Sequence, residues 1–190
     1  MRSSLYNSGV LCLLLQPFHE SLHQGVPALV TREGKILTKV PAITWYIAEG
    51  ARSIRLLPQG GLPLARCLEW FNWLSGTVHT MAFGQYWRAH RFLEDEKLYP
   101  PPAAEGSQER PGVLRLYREP AHGQALGRDP GLLRAVDAYL AVLYRWGNCI
   151  GLPMGADYPE WTAHARRLME RPALQRALEQ EGVTLWDNPD

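Results

Sequence analysis

The chain has 190 residues, enough for one domain or two small ones, and its 46% hydrophobic content is ample for a buried core. Its 20 basic residues nearly cancel 19 acidic ones, so the charge points to neither nucleic acid nor an anionic membrane surface as a partner. Cys12, Cys67 and Cys149 are odd in number and widely spaced, which argues against a disulfide framework or a cysteine metal motif and suits a reducing cytosol.

Leu5-Tyr6-Asn7-Ser8 reads as a first strand, Gly9 as a turn, and Val10 to Leu15 as the start of a helix ending before Pro17. Arg2 and this apolar run only faintly imitate a signal peptide. The run is too short, and Gln16-Pro17-Phe18-His19-Glu20 offers no small-residue cleavage site. No stretch approaches transmembrane length, so the expectation is a soluble, cytoplasmic chain without a membrane partner. Val26 to Val30 is a short β-rich run, Thr31-Arg32-Glu33-Gly34 has turn chemistry, and Lys35 to Thr38 resumes an extended pattern. Together they predict a β-hairpin. Pro27 cannot donate to a ladder and belongs at an edge or a strand start. Pro41 suits a first helical position, and Ile43, Tyr46 and Ile47 follow at helical spacing.

Leu57-Pro58-Gln59-Gly60-Gly61-Leu62-Pro63 reads as an interdomain linker, and the chain beyond it is helical almost throughout. A long helix is expected from Leu64 to about Trp87. Leu64, Cys67, Leu68, Phe71, Leu74, Val78 and Met81 form one apolar face; Asn72, Gly76, His79 and Phe83 form another. Gly76 costs about 1 kcal/mol against Ala inside a helix, which predicts close packing there. Residues 94–110 are charged and then proline-rich, a loop without a motif; Val113 to Arg118 reads as a helix that Pro120 interrupts, and the Gly- and Pro-rich segment through Gly131 carries no assignable element. From Leu132 the pattern predicts a central helix, apolar at nearly every position from Ala138 to Trp146 and buried all round. Pro159 and Pro172 open two more helices, and Gly182 stops the last. Trp70, Trp73, Trp87, Trp146 and Trp161 lie on helices as packing residues, some of them candidates to line an apolar pocket. His19, His23, His90, His122 and His164 lack ligand spacing, so no metal site is expected.

The order Val26-Pro27, hairpin, proline-started helix resembles the second half of the thioredoxin-like domain of glutathione transferases. In that family a cis Val-Pro presents its backbone to the cysteinyl part of glutathione. The next strand ends in an acidic residue and a serine that hold the γ-glutamyl group. Lys39-Val40 stands where that pair is expected. Ser8, with Cys12 four residues on, resembles the opening of the bacterial beta-class enzymes. The interval from Cys12 to Gly25 lacks room for about one strand and one helix of that pattern. Val78-His79-Thr80 matches a family Glu-Leu-His-Lys segment at the histidine and loses the lysine. The family opens its central helix with a Ser/Thr-x-x-Asp capping box. Here Asp137 is in place but Arg134 replaces the hydroxyl residue, weakening the cap by about 1 kcal/mol. Asp137-Ala138-Tyr139-Leu140, Tyr144-Arg145-Trp146 and Arg171-Pro172-Ala173-Leu174-Gln175-Arg176-Ala177-Leu178 are similar to the family's last helices. The resemblance covers residues 26–57, 62–93 and 132–186.

It implies an α/β plus all-α fold: a shortened thioredoxin-like N-terminal domain (1–57), a linker (58–63) and an all-helical C-terminal domain (64–190), assembled as a homodimer. It implies glutathione as cosubstrate and a small hydrophobic electrophile as its partner in the reaction. Cys12 or Ser8 would serve the sulfur; Val26, Pro27, Lys39, Val40, His79 and Thr80 would line the glutathione site. Four of these assignments have a plainer alternative. Cys12 lies in an apolar run and also reads as core, Ser8 as a turn residue, Lys39 as a solvated side chain, and His79 as a histidine bonded across the domain interface. Three functions fit: conjugation of glutathione to electrophiles, a non-catalytic ligand- or protein-binding module with a decayed glutathione site, and Cys12-dependent thiol transfer.

Overall fold

A computed structural model describes residues 27–51, 55–98 and 134–186. The strand and helix expected at 5–15, with Ser8 and Cys12, and also Val26 and the segment from 99 to 133, with the helix expected at 113–118, lie outside the described residues.

The hairpin forms where the turn chemistry asks for it. Strands β1 (Ala28–Val30) and β2 (Ile36–Thr38) pair antiparallel, with Ala28 opposite Thr38 and Val30 opposite Ile36. Gly34 takes φ 72° at the turn, and its N–H reaches Thr31 O at 3.0 Å. Leu29 alone is buried, as strand alternation requires. Helix α1 (Val40–Gly50) follows after one residue, and Pro41 is its second residue rather than its first. Ile43, Tyr46 and Ile47 do not make its core face: Ile47 is exposed and Ala48 is the buried residue, with Val40 and Trp45 packed on the core. Val40, Trp45 and Ala48 also recur at helical spacing. The small Ala48 lets α1 approach the central helix, which the larger Ile47 would prevent.

The long helix starts at Gly61, inside the segment read as linker, and runs unbroken to Trp87 in three windings. These are α2 (Gly61–Asn72), a π-wound segment (Trp73–Phe83) and α3 (Gly84–Trp87). The wide winding is marked by Gly84 N–H bonding His79 O, and by Thr80 Oγ1 donating to Ser75 O at 2.7 Å, both five residues back. It changes the face. Leu74, Val78, Ala82 and Phe83 are buried at steps of four and five, whereas Met81, placed inward by steps of three and four, is 44% exposed. Gly76 is exposed, and a Cβ on it would meet nothing within 4 Å, so close packing does not explain this glycine.

Helix α4 (Arg134–Cys149) is the centre of the core, packing Val136, Tyr139, Leu140, Leu143 and Tyr144 against α2, the π-wound segment and α1. Its burial is not all-round: Ala138 and Val142, four apart, face solvent. The Ala135 N–H finds Leu56 O at 3.0 Å, so the segment before α2 supplies an acceptor to the first turn of α4. Asp137 is drawn inward. Its Oδ2 accepts from Arg171 Nη1 at 3.3 Å, and its Oδ1 lies 3.2 Å from His164 Nε2, an ion-pair distance without hydrogen-bond alignment.

Short α5 (Met154–Asp157), α6 (Pro159–Met169) and α7 (Pro172–Glu181) complete the described fold, the last two opening at the expected prolines. Gly182 closes α7 in the left-handed region (φ 63°), with Val183 N–H on Leu178 O at 3.1 Å. Buried Tyr144 Oη donates to Thr162 Oγ1, which donates to Met154 O, so α4, α5 and α6 share one polar chain. Met154 packs directly on Gly147. A Cβ there would overlap Met154 Sδ and come within 3.0 Å of its Cε, so the buried Met154 side chain would have to shift. Overpacking of about 1–3 kcal/mol outweighs the roughly 1 kcal/mol that Ala gains over Gly inside a helix, so Gly147→Ala is expected to lose up to about 2 kcal/mol, read as a lower denaturant midpoint at unchanged slope. No helix among the described residues is long and apolar enough to cross a membrane.

Candidate functional site

Pro27 and Lys39 meet at the open end of the hairpin. The register that sets Ala28 opposite Thr38 puts Pro27 across from Lys39, the residue joining β2 to α1. Lys39 is exposed and adopts φ 73°, ψ 124°, a conformation that costs a residue with a Cβ about 1–3 kcal/mol. The chain must turn from strand to helix within this one residue, and the strain sits there. Lys39 makes no side-chain cap bond to the helix. Its long side chain carries only donors, so it cannot accept from the first-turn N–H groups as an acid or a serine would. Val40 is half-buried and packs on the core, so its side chain serves the fold.

A second group gathers on the π-wound segment and α4. His79 Nδ1 lies 2.7 Å from Tyr139 Oη, and the imidazole sits edge-on to Trp146 at 5.0 Å. Trp146 is in turn flanked by Phe83 at 5.4 Å and Trp87 at 4.8 Å, and Trp87 keeps one side open to solvent. Burial, with a smaller contribution from the Arg88 charge, holds His79 below the ordinary histidine range. Burial pushes the Tyr139 hydroxyl well above its usual value, so it remains a protonated donor at neutral pH. His79 is thus bonded within the helical part of the chain rather than across a domain interface. Thr80 is exposed, and its hydroxyl is occupied by Ser75 O.

Tyr139 is the residue that pattern reasoning passed over. It stands among the apolar positions of α4, and a partner 60 residues from His79 leaves no local signal. Cys67 offers no nucleophile: it is fully buried, and burial, with Asp137 nearby, pushes its thiol up to about 11. A half-open cavity of about 370 Å³ lies at the other end of α1, lined by Ala48, Glu49, Arg55, Leu56 and Leu57 among others. The helix carries it about 15 Å from Lys39, so it is not part of this arrangement. Among the described residues no three His, Cys, Asp or Glu side chains are grouped to hold a metal.

No protein-family profile matches the chain. It is 26% identical over 160 residues to glutathione S-transferase GstA of Escherichia coli O157:H7, covering 83% of this chain and 74% of that one. Among solved structures, a sphingomonad glutathione S-transferase complexed with glutathione is 29% identical with a TM-score of 0.62, covering 84% of this chain and 75% of that one. The beta-class glutathione S-transferase of Sphingomonas chungbukensis is 25% identical with a TM-score of 0.61 over the same shares.

Proposed function

From this similarity to bacterial beta-class glutathione S-transferases in both sequence and fold, we propose that the chain conjugates the thiolate of glutathione to small hydrophobic electrophiles. The observation that carries the reading is the likeness to a chain whose structure holds glutathione, over 84% of this one. In this reading the Val26 backbone pairs with the cysteinyl part of glutathione beside Pro27, as an added strand would. Cys12 or Ser8 serves the sulfur, and His79 donates to an anionic group of the peptide. The thiol releases its proton to water, the sulfur lone pair forms the C–S bond, and the leaving group departs with its bonding electrons. The aromatic group around Trp87 and Trp146 offers the apolar surface such an electrophile needs. Exposed Leu62 and Leu68 on α2, with Ile36 and Ile47 on the hairpin–helix unit, support a homodimer through those elements.

One observation favours a second reading, a family fold that binds apolar ligands or a protein without catalysis. Lys39 brings a cation, and Val40 an apolar side chain, to the position where the resemblance leads one to expect the acidic residue and serine that grip the γ-glutamyl group. Thioether formation from glutathione and a nitroaromatic halide separates the two: a rate proportional to protein supports conjugation, and a rate equal to the uncatalysed one supports the second reading.

A further inference from the structure

His79 has two ring nitrogens, and which of them carries the proton decides what it offers a ligand. We infer that Tyr139 is a positioning residue: its hydroxyl, 2.7 Å from His79 Nδ1, donates to that nitrogen and fixes the proton on Nε2, which it turns outward as a neutral donor. The alternative, Nδ1–H donating to the phenol oxygen, would leave the Tyr139 proton with no acceptor among the described residues. Such an orphan is costly on a side chain this deeply buried. The ring has little freedom to turn away. Trp146 meets it edge-on at 5.0 Å and an interplanar angle of 90°, and the Tyr139 ring meets it at 6.1 Å and 78°.

The surroundings keep the imidazole neutral. From the π-wound segment and α4 it faces uncharged Tyr139 and Trp146, and the nearest charge that acts on it is the Arg88 guanidinium just after α3. A cation beside it and partial burial both oppose protonation. His79 therefore meets a ligand as a directed N–H donor, not as a cation. It suits an acceptor atom at a defined place, such as a carboxylate oxygen or a sulfur, and discriminates by geometry more than by charge. That role rests on the glutathione reading above; the state of the ring does not.

The two can be tested apart. In ¹⁵N-labelled protein near neutral pH, His79 should show an unprotonated, hydrogen-bonded Nδ1 and a protonated Nε2. In Tyr139→Phe, which keeps the ring packing, the Nδ1 resonance should move downfield to that of an unbonded acceptor, with the second tautomer becoming populated. A protonated Nδ1 in the unsubstituted protein overturns the inference, as does an Nδ1 resonance that Tyr139→Phe leaves in place. If Tyr139→Phe fails to fold, the first spectrum decides alone. With glutathione added, Tyr139→Phe should bind about three- to tenfold more weakly, the loss of one positioned hydrogen bond. Predicted ring spectra with no glutathione binding by either protein would uphold the role of Tyr139 and remove only the glutathione reading.

Discussion

Asp137→Ala is expected to lower the melting temperature by about 5–15 °C. Asp137 is 7% exposed, in the first turn of the central helix, and it faces Arg171 and His164 from two later elements. Truncating it removes the one anion of the group. It leaves His164 buried without the carboxylate beside it and Arg171 without the anchor that holds the start of α7. Breaking a buried pair from one side costs about 3–5 kcal/mol; with Arg171 44% exposed, about 2–4 kcal/mol is the appropriate range here. In a chain of this size each kcal/mol moves the midpoint by about 2–4 °C. A carboxylate at the N-terminal end of α4 also meets the positive end of the helix dipole, which adds to the loss. Arg171→Ala is the companion test. It leaves the buried Asp137 carboxylate without its hydrogen-bond donor, so a loss of about the same size is expected, and an Arg171→Ala protein as stable as the unsubstituted one would contradict this account of Asp137.

The second large effect is a gain. Lys39→Glu with Val40→Ser is expected to raise affinity for glutathione by about ten- to a hundredfold, read by calorimetry. A carboxylate at position 39 can accept from the γ-glutamyl ammonium, and a hydroxyl at 40 can donate to the neighbouring carboxylate. A hydrogen bond to a charged group contributes about 1.5–3 kcal/mol and 1.4 kcal/mol is tenfold, so the expected gain corresponds to about one such bond. The substitution also removes the repulsion between Lys39 and that ammonium. Position 40 limits the gain, because Val40 packs on the core and its methyl groups are lost in exchange. Unchanged affinity in a folded double variant would show that the hairpin end does not hold the γ-glutamyl group.

Local signals carried much of this fold into view. The turn at Thr31–Gly34, the prolines at 41, 159 and 172 and the glycine at 182 each act through their own backbone, so their positions announced the elements they start or stop. What stayed hidden depends on non-local geometry. A π winding shows no distinct signature at steps of three and four, which place Met81 inward and ask for packing at Gly76, whereas both face outward. Asp137 stands at a local cap position in the sequence, but its Arg171 partner is 34 residues away. The same holds for Tyr139, whose hydroxyl is invisible in a hydrophobic pattern although it governs His79. At the hairpin end, Pro27 and Lys39 could be paired from the sequence because a hairpin fixes register by its turn. The strain at Lys39 could not be anticipated, since nothing about lysine suggests φ 73°.

The conjugation claim is tested most directly by the initial rate of thioether formation from a nitroaromatic halide, measured against glutathione concentration with the unsubstituted protein. The expected result is a rate that rises with protein and saturates with glutathione only at high, millimolar-range concentrations, as befits a site with Lys39 and Val40 in place of an acid and a hydroxyl. A rate that stays at the protein-free background at every glutathione concentration would contradict it.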